Sequence, residues 1–184
     1  MAHEVERMFS AREVPWHIAD TKDRTLVTPD RLTIEEAIPS SGLDWKVERV
    51  PIYVQRAPGE GYFSEYEAIE GMIGLERSTD GQILGIHSET YRENQPREMF
   101  EWGWGIVEAS LEDGAEQAAV WETGGSLAGG KKIFAMIKMP EIVQINGDRH
   151  VPYLGLADSY DGSLARRAWM TFVRVVCINT LDWS

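Results

Sequence analysis

The chain has 184 residues and a mass of 20.8 kDa, the size of one ordinary domain. Hydrophobic residues make up 43% and charged residues 26%, which excludes wholesale disorder. One cysteine, Cys177, excludes an internal disulfide framework and a Cys-rich zinc ribbon, and a formal charge of -12 opposes long-range approach to polyanions.

Residues 1–32 read as an N-terminal arm carrying Trp16 and His17. Thr33 and Glu36 form a capping-box pattern that opens a short helix, ended by Pro39 and Ser40-Ser41-Gly42. Val50, Ile52 and Val54 alternate as in a strand, and Pro51 assigns it to a sheet edge because proline lacks a ladder donor. Residues 66–77 and 82–87 flank Asp80-Gly81 and predict a hairpin. Pro96 suits the first position of a helix, and Phe100, Trp104, Val107 and Leu111 form one face of it. Gly103 and Gly105 weaken that helix by about 1 kcal/mol each relative to alanine, so tertiary packing must hold it.

The second half reads as sheet. Ala118–Glu122 is a short strand, and residues 123–130 form a glycine-rich loop. Residues 132–138 are apolar on both faces and predict a central strand covered on both sides. Residues 142–145 and 150–156 flank Asn146-Gly147, the favoured hairpin turn. Residues 167–173 alternate as a strand, and 175–183 as the start of a helix. The expected fold class is α+β: one domain over 1–184, a mainly antiparallel sheet built from hairpins with one or two packed helices.

The first twenty residues lack the continuous apolar core of a signal peptide, and no stretch approaches the ~18 apolar residues of a membrane span. A cytoplasmic protein with no membrane partner is expected. Charge is divided unevenly. Residues 1–130 hold 11 Lys and Arg against 25 Asp and Glu, whereas residues 131–184 hold 7 against 5. The first reading is that the acidity keeps the protein soluble; the second is that a local basic face on the C-terminal third binds phosphate, although its arginines can equally pair with the surplus carboxylates.

Chemical motifs are sparse. The loop at 124–130 precedes Lys131 and Lys132, but a Walker loop needs Lys-Ser/Thr leading into a helix. It reads first as a hairpin connection and second as a backbone contact to phosphate. Asp158 and Asp161 fit a turn, with a divalent cation as the other reading. Cys177, among Val175, Val176 and Ile178, reads as a buried thiol, and the four histidines lack metal-ligand spacing. No catalytic residue, metal ligand or cofactor site is assigned, so an enzyme is not expected.

Several motifs carry a likeness. They are Pro15-Trp16-His17, Gly42-Leu43-Asp44-Trp45, Gly85-Ile86-His87-Ser88-Glu89-Thr90-Tyr91-Arg92 with Asn94, and Thr123-Gly124-Gly125-Ser126-Leu127. Gly129-Gly130-Lys131-Lys132, Asp161-Gly162-Ser163 and the run Val173-Arg174-Val175-Val176-Cys177 with Asn179-Thr180-Leu181 follow. In this order they resemble the phage/plasmid-like protein family, the domain of unknown function 932. Trp102 and Trp104, set among glycines, depart from the pattern in the middle helix. Family members continue into further helical sequence, so a truncated or naturally short version is expected.

The resemblance implies a phage, prophage or plasmid origin and supplies no enzyme chemistry. The leading expectation is a noncatalytic protein of phage DNA metabolism, a homo-oligomer that binds or anneals single-stranded DNA. Lys131, Lys132, Arg166, Arg167 and Arg174 would contact the backbone, with Trp169 stacking on bases. The alternative is a module that binds a host protein, in an anti-defence or host-takeover role, through its acidic part.

Overall fold

The computed structural model describes residues 5–10, 24–26, 32–56, 65–112 and 118–174. The fold is α+β, with two helices and mainly antiparallel strands among the described residues. The strands are β1 (Val5–Ser10), β2 (Arg24–Leu26), β3 (Val47–Arg56), β4 (Glu65–Arg77) and β5 (Ile83–Ser88), then β6 (Val120–Leu127), β7 (Lys132–Lys138), β8 (Val143–Ile145), β9 (Asp148–Ser159) and β10 (Arg167–Arg174). The helices are α1 (Ile34–Ser41) and α2 (Pro96–Glu112).

The large sheet runs β10-β9-β7-β6-β1-β2, with β8 paired to β9, and a smaller sheet runs β3-β4-β5. Residues 5–10 correct the arm expectation. They form a strand beside β6, with Met8 and Phe9 buried. The only parallel pairing among the described residues joins β1 to β2.

A second correction concerns the glycine-rich segment. Thr123, Gly124, Gly125 and Ser126 belong to β6, and the turn to β7 begins only at Ala128. Glycine serves there for close approach between strands. A Cβ on Gly125 would lie 2.2 Å from the Arg7 carbonyl oxygen, and one on Gly124 would lie 2.9 Å from the Phe9 ring. Gly124 and Gly125 are therefore not placed in a phosphate-cradling loop.

α1 begins where the sequence pattern places it. The Glu36 carboxylate accepts from the Thr33 amide and hydroxyl, both at 2.9 Å, which holds its pKa below the ordinary carboxylate value. Pro39 lies within the last turn of α1 rather than ending it, and Gly42 closes the helix at φ 72°. Asn146 and Gly147 adopt φ of 53° and 87°, the left-handed pair that a two-residue hairpin between β8 and β9 requires.

Both helices pack on one face of the large sheet. α2 lays Gly103 against Trp121, Leu156 and Ile137, and Phe100 reaches Gly124 of β6. Phe9, Phe100, Trp121, Ile133, Ile137 and Leu156 form this core, which continues to Trp45, Leu75, Leu84 and Tyr160 at the joint with the small sheet. The buried Arg77 guanidinium ties that joint. It donates to Glu6 of β1 and to Asp80 and Gln82 of the β4–β5 turn at 2.6–2.9 Å. Among the described residues no helix is long and apolar enough to cross a membrane.

Candidate functional site

Side chains alternate across a strand, so register decides which residues share a face. In the large sheet Phe134 lies opposite Ala157, which lies opposite Arg167; Met136 lies opposite Gly155, which lies opposite Trp169. Lys132, Phe134, Met136 and Lys138 of β7 therefore share a face with Arg167, Trp169, Thr171 and Val173 of β10. Ile133, Ala135, Ile137 and Leu156 point the other way, into the core beneath α2. Neither described helix packs on the Lys132–Trp169 face, so β7 is central but, among the described elements, covered by helix on one side and not on both as its apolar run predicts.

Trp169 lies across Gly155. A Cβ at Gly155 would stand 2.4 Å from two indole carbons, so the bare backbone lets the ring rest against β9. Trp169 remains 37% exposed, and the Arg167 guanidinium sits 5.3 Å from its centroid. This stacking fixes the ring while leaving the charge in solvent. Among the described residues, Lys131, Lys132, Lys138 and Arg167 form no ion pair. Lys132 does influence Asp161. Burial tends to raise that carboxyl, but hydrogen bonds with Ser163 and Ser159 and the Lys132 charge outweigh it and hold it below the ordinary range.

The six residues proposed from sequence do not all meet. Lys132, Arg167 and Trp169 share the face opposite the helices, where Phe134 and Met136 are half-buried and Tyr153 and Ala157 of β9 are buried between the two strands. Lys131 lies at its edge, just after the β6–β7 turn. Arg166 lies on the helix side, its Nε donating to Asp158 at 2.9 Å and its Nη2 lying 3.6 Å from Glu98 of α2. Its charge is neutralised there. Arg174 ends β10 opposite His150, and its side chain lies outside the described residues. Cys177, Trp16, His17 and Trp183 also lie outside them.

Sequence reasoning missed Lys138 and Phe134 as members of the face, although strand alternation from Lys132 gives both. It also missed a buried cluster where the two sheets join. Asp158 accepts from Asn94, Arg166 and the Ser159 amide at 2.8–2.9 Å. His87 donates through Nε2 to the Tyr160 carbonyl at 2.6 Å, and its ring stacks on Tyr91 at 3.9 Å. Gly85 passes so close to Tyr160 that a Cβ would lie 1.9 Å from its carbonyl oxygen. The separate motifs at 85–94 and 161–163 thus meet in space.

This cluster is spoken for internally. Asp158 is 3% exposed and satisfied, and Asp161 accepts from the Ser163 amide as in an Asx turn, the first of the two readings from sequence. Burial, then the nearby Asp158 charge, drives the Tyr160 hydroxyl far above the ordinary phenol range and raises Tyr91 in the same direction. The Tyr160 hydroxyl finds no hydrogen-bond partner among the described residues. A cleft of about 440 Å³ lies nearby, lined by Trp45, Gln95 and Arg97 among others. Two of its polar lining residues are engaged elsewhere, Gln95 by both backbone groups of Val47 and Arg97 by Glu35 and Glu101. Among the described residues no three His, Cys, Asp or Glu side chains are grouped to hold a metal ion.

No curated protein and no solved structure matches the chain. A family model described as a domain of unknown function (DUF932) matches residues 83–184, more than half of the chain. That span contains β5, α2 and β6 to β10, and so both the Lys132–Trp169 face and nearly all of the Asp158 cluster. On this match, the chain belongs to the DUF932 family.

Proposed function

We propose that this chain is a noncatalytic protein of phage or plasmid DNA metabolism that binds single-stranded nucleic acid on the sheet face opposite its helices. One observation carries the reading. Register brings Lys132, Lys138 and Arg167 onto the same face as Phe134 and Trp169. Single-strand binders combine cations that track the backbone with rings on which bases stack, each stack contributing about 1–3 kcal/mol. Uneven charge supports the same surface, because residues 131–184 are the net-positive part of an acidic chain. The acidic remainder slows approach and makes the contact salt-sensitive.

Fluorescence anisotropy of a labelled oligothymidylate tests this at low salt. With Lys131, Lys132, Lys138 and Arg167 contacting phosphates, the slope of log K against log salt should be about -2 to -3. Trp169→Ala should weaken binding by about 5- to 100-fold, and Arg167→Glu should flatten the salt slope. Absence of binding by the full chain at low salt, or equal affinity for both variants and the parent, overturns the proposal.

A further inference from the structure

Among the described residues β2, β3, β5, β8 and β10 each pair on one side only. Four of these edges are short or broken. β2 and β8 are three residues long, β3 carries Pro51 and a register shift, and β5 runs beside a register shift in β4. β10 has none of these features. Its eight pairs with β9 run without a shift, and Ala168–Val173 hold no charge, proline or glycine. Such an edge presents a row of free N–H and C=O groups that another strand can pair with. Its side chains are uncovered on both faces. Met170 is 48% exposed and Phe172 47% on the helix side, and Val173 is 46% and Trp169 37% exposed on the other.

The strand is its own complement. Across a two-fold axis normal to the sheet, antiparallel copies of β10 keep their faces, so each residue opposes only residues of its own face. Centred on Thr171, this pairing sets Met170 against Phe172 of the second copy and Trp169 against Val173 of the second copy. All four exposed apolar side chains then meet one another, twice over. Centred on Met170 instead, it sets Trp169 against Thr171 and Phe172 against Ala168, which matches fewer large side chains. In the Thr171-centred pairing the two Arg167 residues lie at opposite ends of the paired strands, so they do not repel. A large aromatic side chain carries about 150–250 Å², so four residues exposed by 37–48% leave roughly 350 Å² per copy to cover. With the flanking backbone, two copies bury on the order of 1,000 Å², between weak and standard interfaces, which suits a micromolar dimer.

We infer that two copies of this chain pair β10 with β10, antiparallel and with Thr171 on the two-fold axis, joining their large sheets into one. The contact uses the same surface on both partners, so it closes at a dimer. It also sets Lys132, Lys138 and Arg167 of both copies on one side of the joined sheet, but it does not rest on nucleic acid being bound there.

Sedimentation velocity of the full chain over about 1–100 μM tests this. Met170→Lys and Phe172→Glu alter exposed side chains on the face opposite Trp169. The parent should form a dimer, and each variant alone should raise the dissociation constant at least about tenfold. An equimolar mixture of the two variants should regain the dimer. One cross-strand pair then joins the introduced cation to the introduced carboxylate, while the other remains Met170 with Phe172. Circular dichroism checks folding of both variants. Hydrogen exchange of the parent gives a reading that needs no variant: β10 amides should gain protection as concentration rises. A parent that stays monomeric at about 100 μM overturns the inference. So does a folded variant that associates like the parent, a mixture that stays monomeric, or β10 exchange that is independent of concentration.

Discussion

Two glycines in one helix offer a direct check on how α2 is held. Gly103 and Gly105 carry the same intrinsic cost, about 1 kcal/mol each against alanine. Their surroundings differ. A Cβ at Gly103 would lie 2.5 Å from Trp121, 2.9 Å from Leu156 and 3.1 Å from Ile137, whereas one at Gly105 meets nothing within 4 Å. Gly105→Ala should therefore recover the full propensity and stabilise the protein by about 1 kcal/mol. Gly103→Ala gains the same propensity but must push α2 off the sheet, at an overpacking cost of about 1–3 kcal/mol. The propensity cancels in the difference between the variants, leaving about 1–3 kcal/mol for helix-on-sheet contact. Urea unfolding of both variants measures it, provided the slopes stay equal. A difference below about 0.5 kcal/mol would show that α2 does not rest on Trp121 and Leu156.

Other tests probe the joint between the sheets. Tyr160→Phe removes a buried hydroxyl that lacks a partner among the described residues, so it should leave stability unchanged or raise it by about 1–2 kcal/mol; clear destabilisation in urea would mean the hydroxyl is engaged. The same residue sets an alkaline limit. Its folded state holds the phenol proton more tightly than the unfolded chain, so its stabilising effect is intact below the ordinary phenol value of about 10 and declines as pH rises above it. Urea midpoints between about pH 9 and 11.5 should fall less steeply for Tyr160→Phe than for the parent, and parallel curves would contradict this. Arg77→Met should cost about 2–3 kcal/mol, less than loss of a fully buried pair because Glu6 and Asp80 are part-exposed; thermal unfolding reads it, and a neutral result would remove the inter-sheet tie. Gly85→Ala should be worse than any of these on the same measurement, since backbone at Tyr160 must move to admit it, and a folded variant of near-parent stability would place the β5 contact wrongly.

Local chemistry made much of the fold legible in the sequence. The Thr33–Glu36 pair starts α1, Pro96 starts α2, and Asp80-Gly81 and Asn146-Gly147 turn their hairpins, because each acts within a few residues. The apolar run along 132–138 and alternation along 167–173 likewise marked β7 and β10. Glycine misled where its purpose was long-range. Gly124 and Gly125 read as loop, yet they admit β1 against β6 from more than a hundred residues away. The candidate cations divided for the same reason. Arg166 and Arg167 are adjacent in sequence, but the buried Asp158 draws the first to the helix side while β10 register sets the second beside Trp169 on the opposite face. Composition and spacing can say that a charge exists and how a turn is made. Which carboxylate meets which arginine, and which residues of separate strands share a surface, depends on pairing across the sheet, and only the tertiary structure decides it.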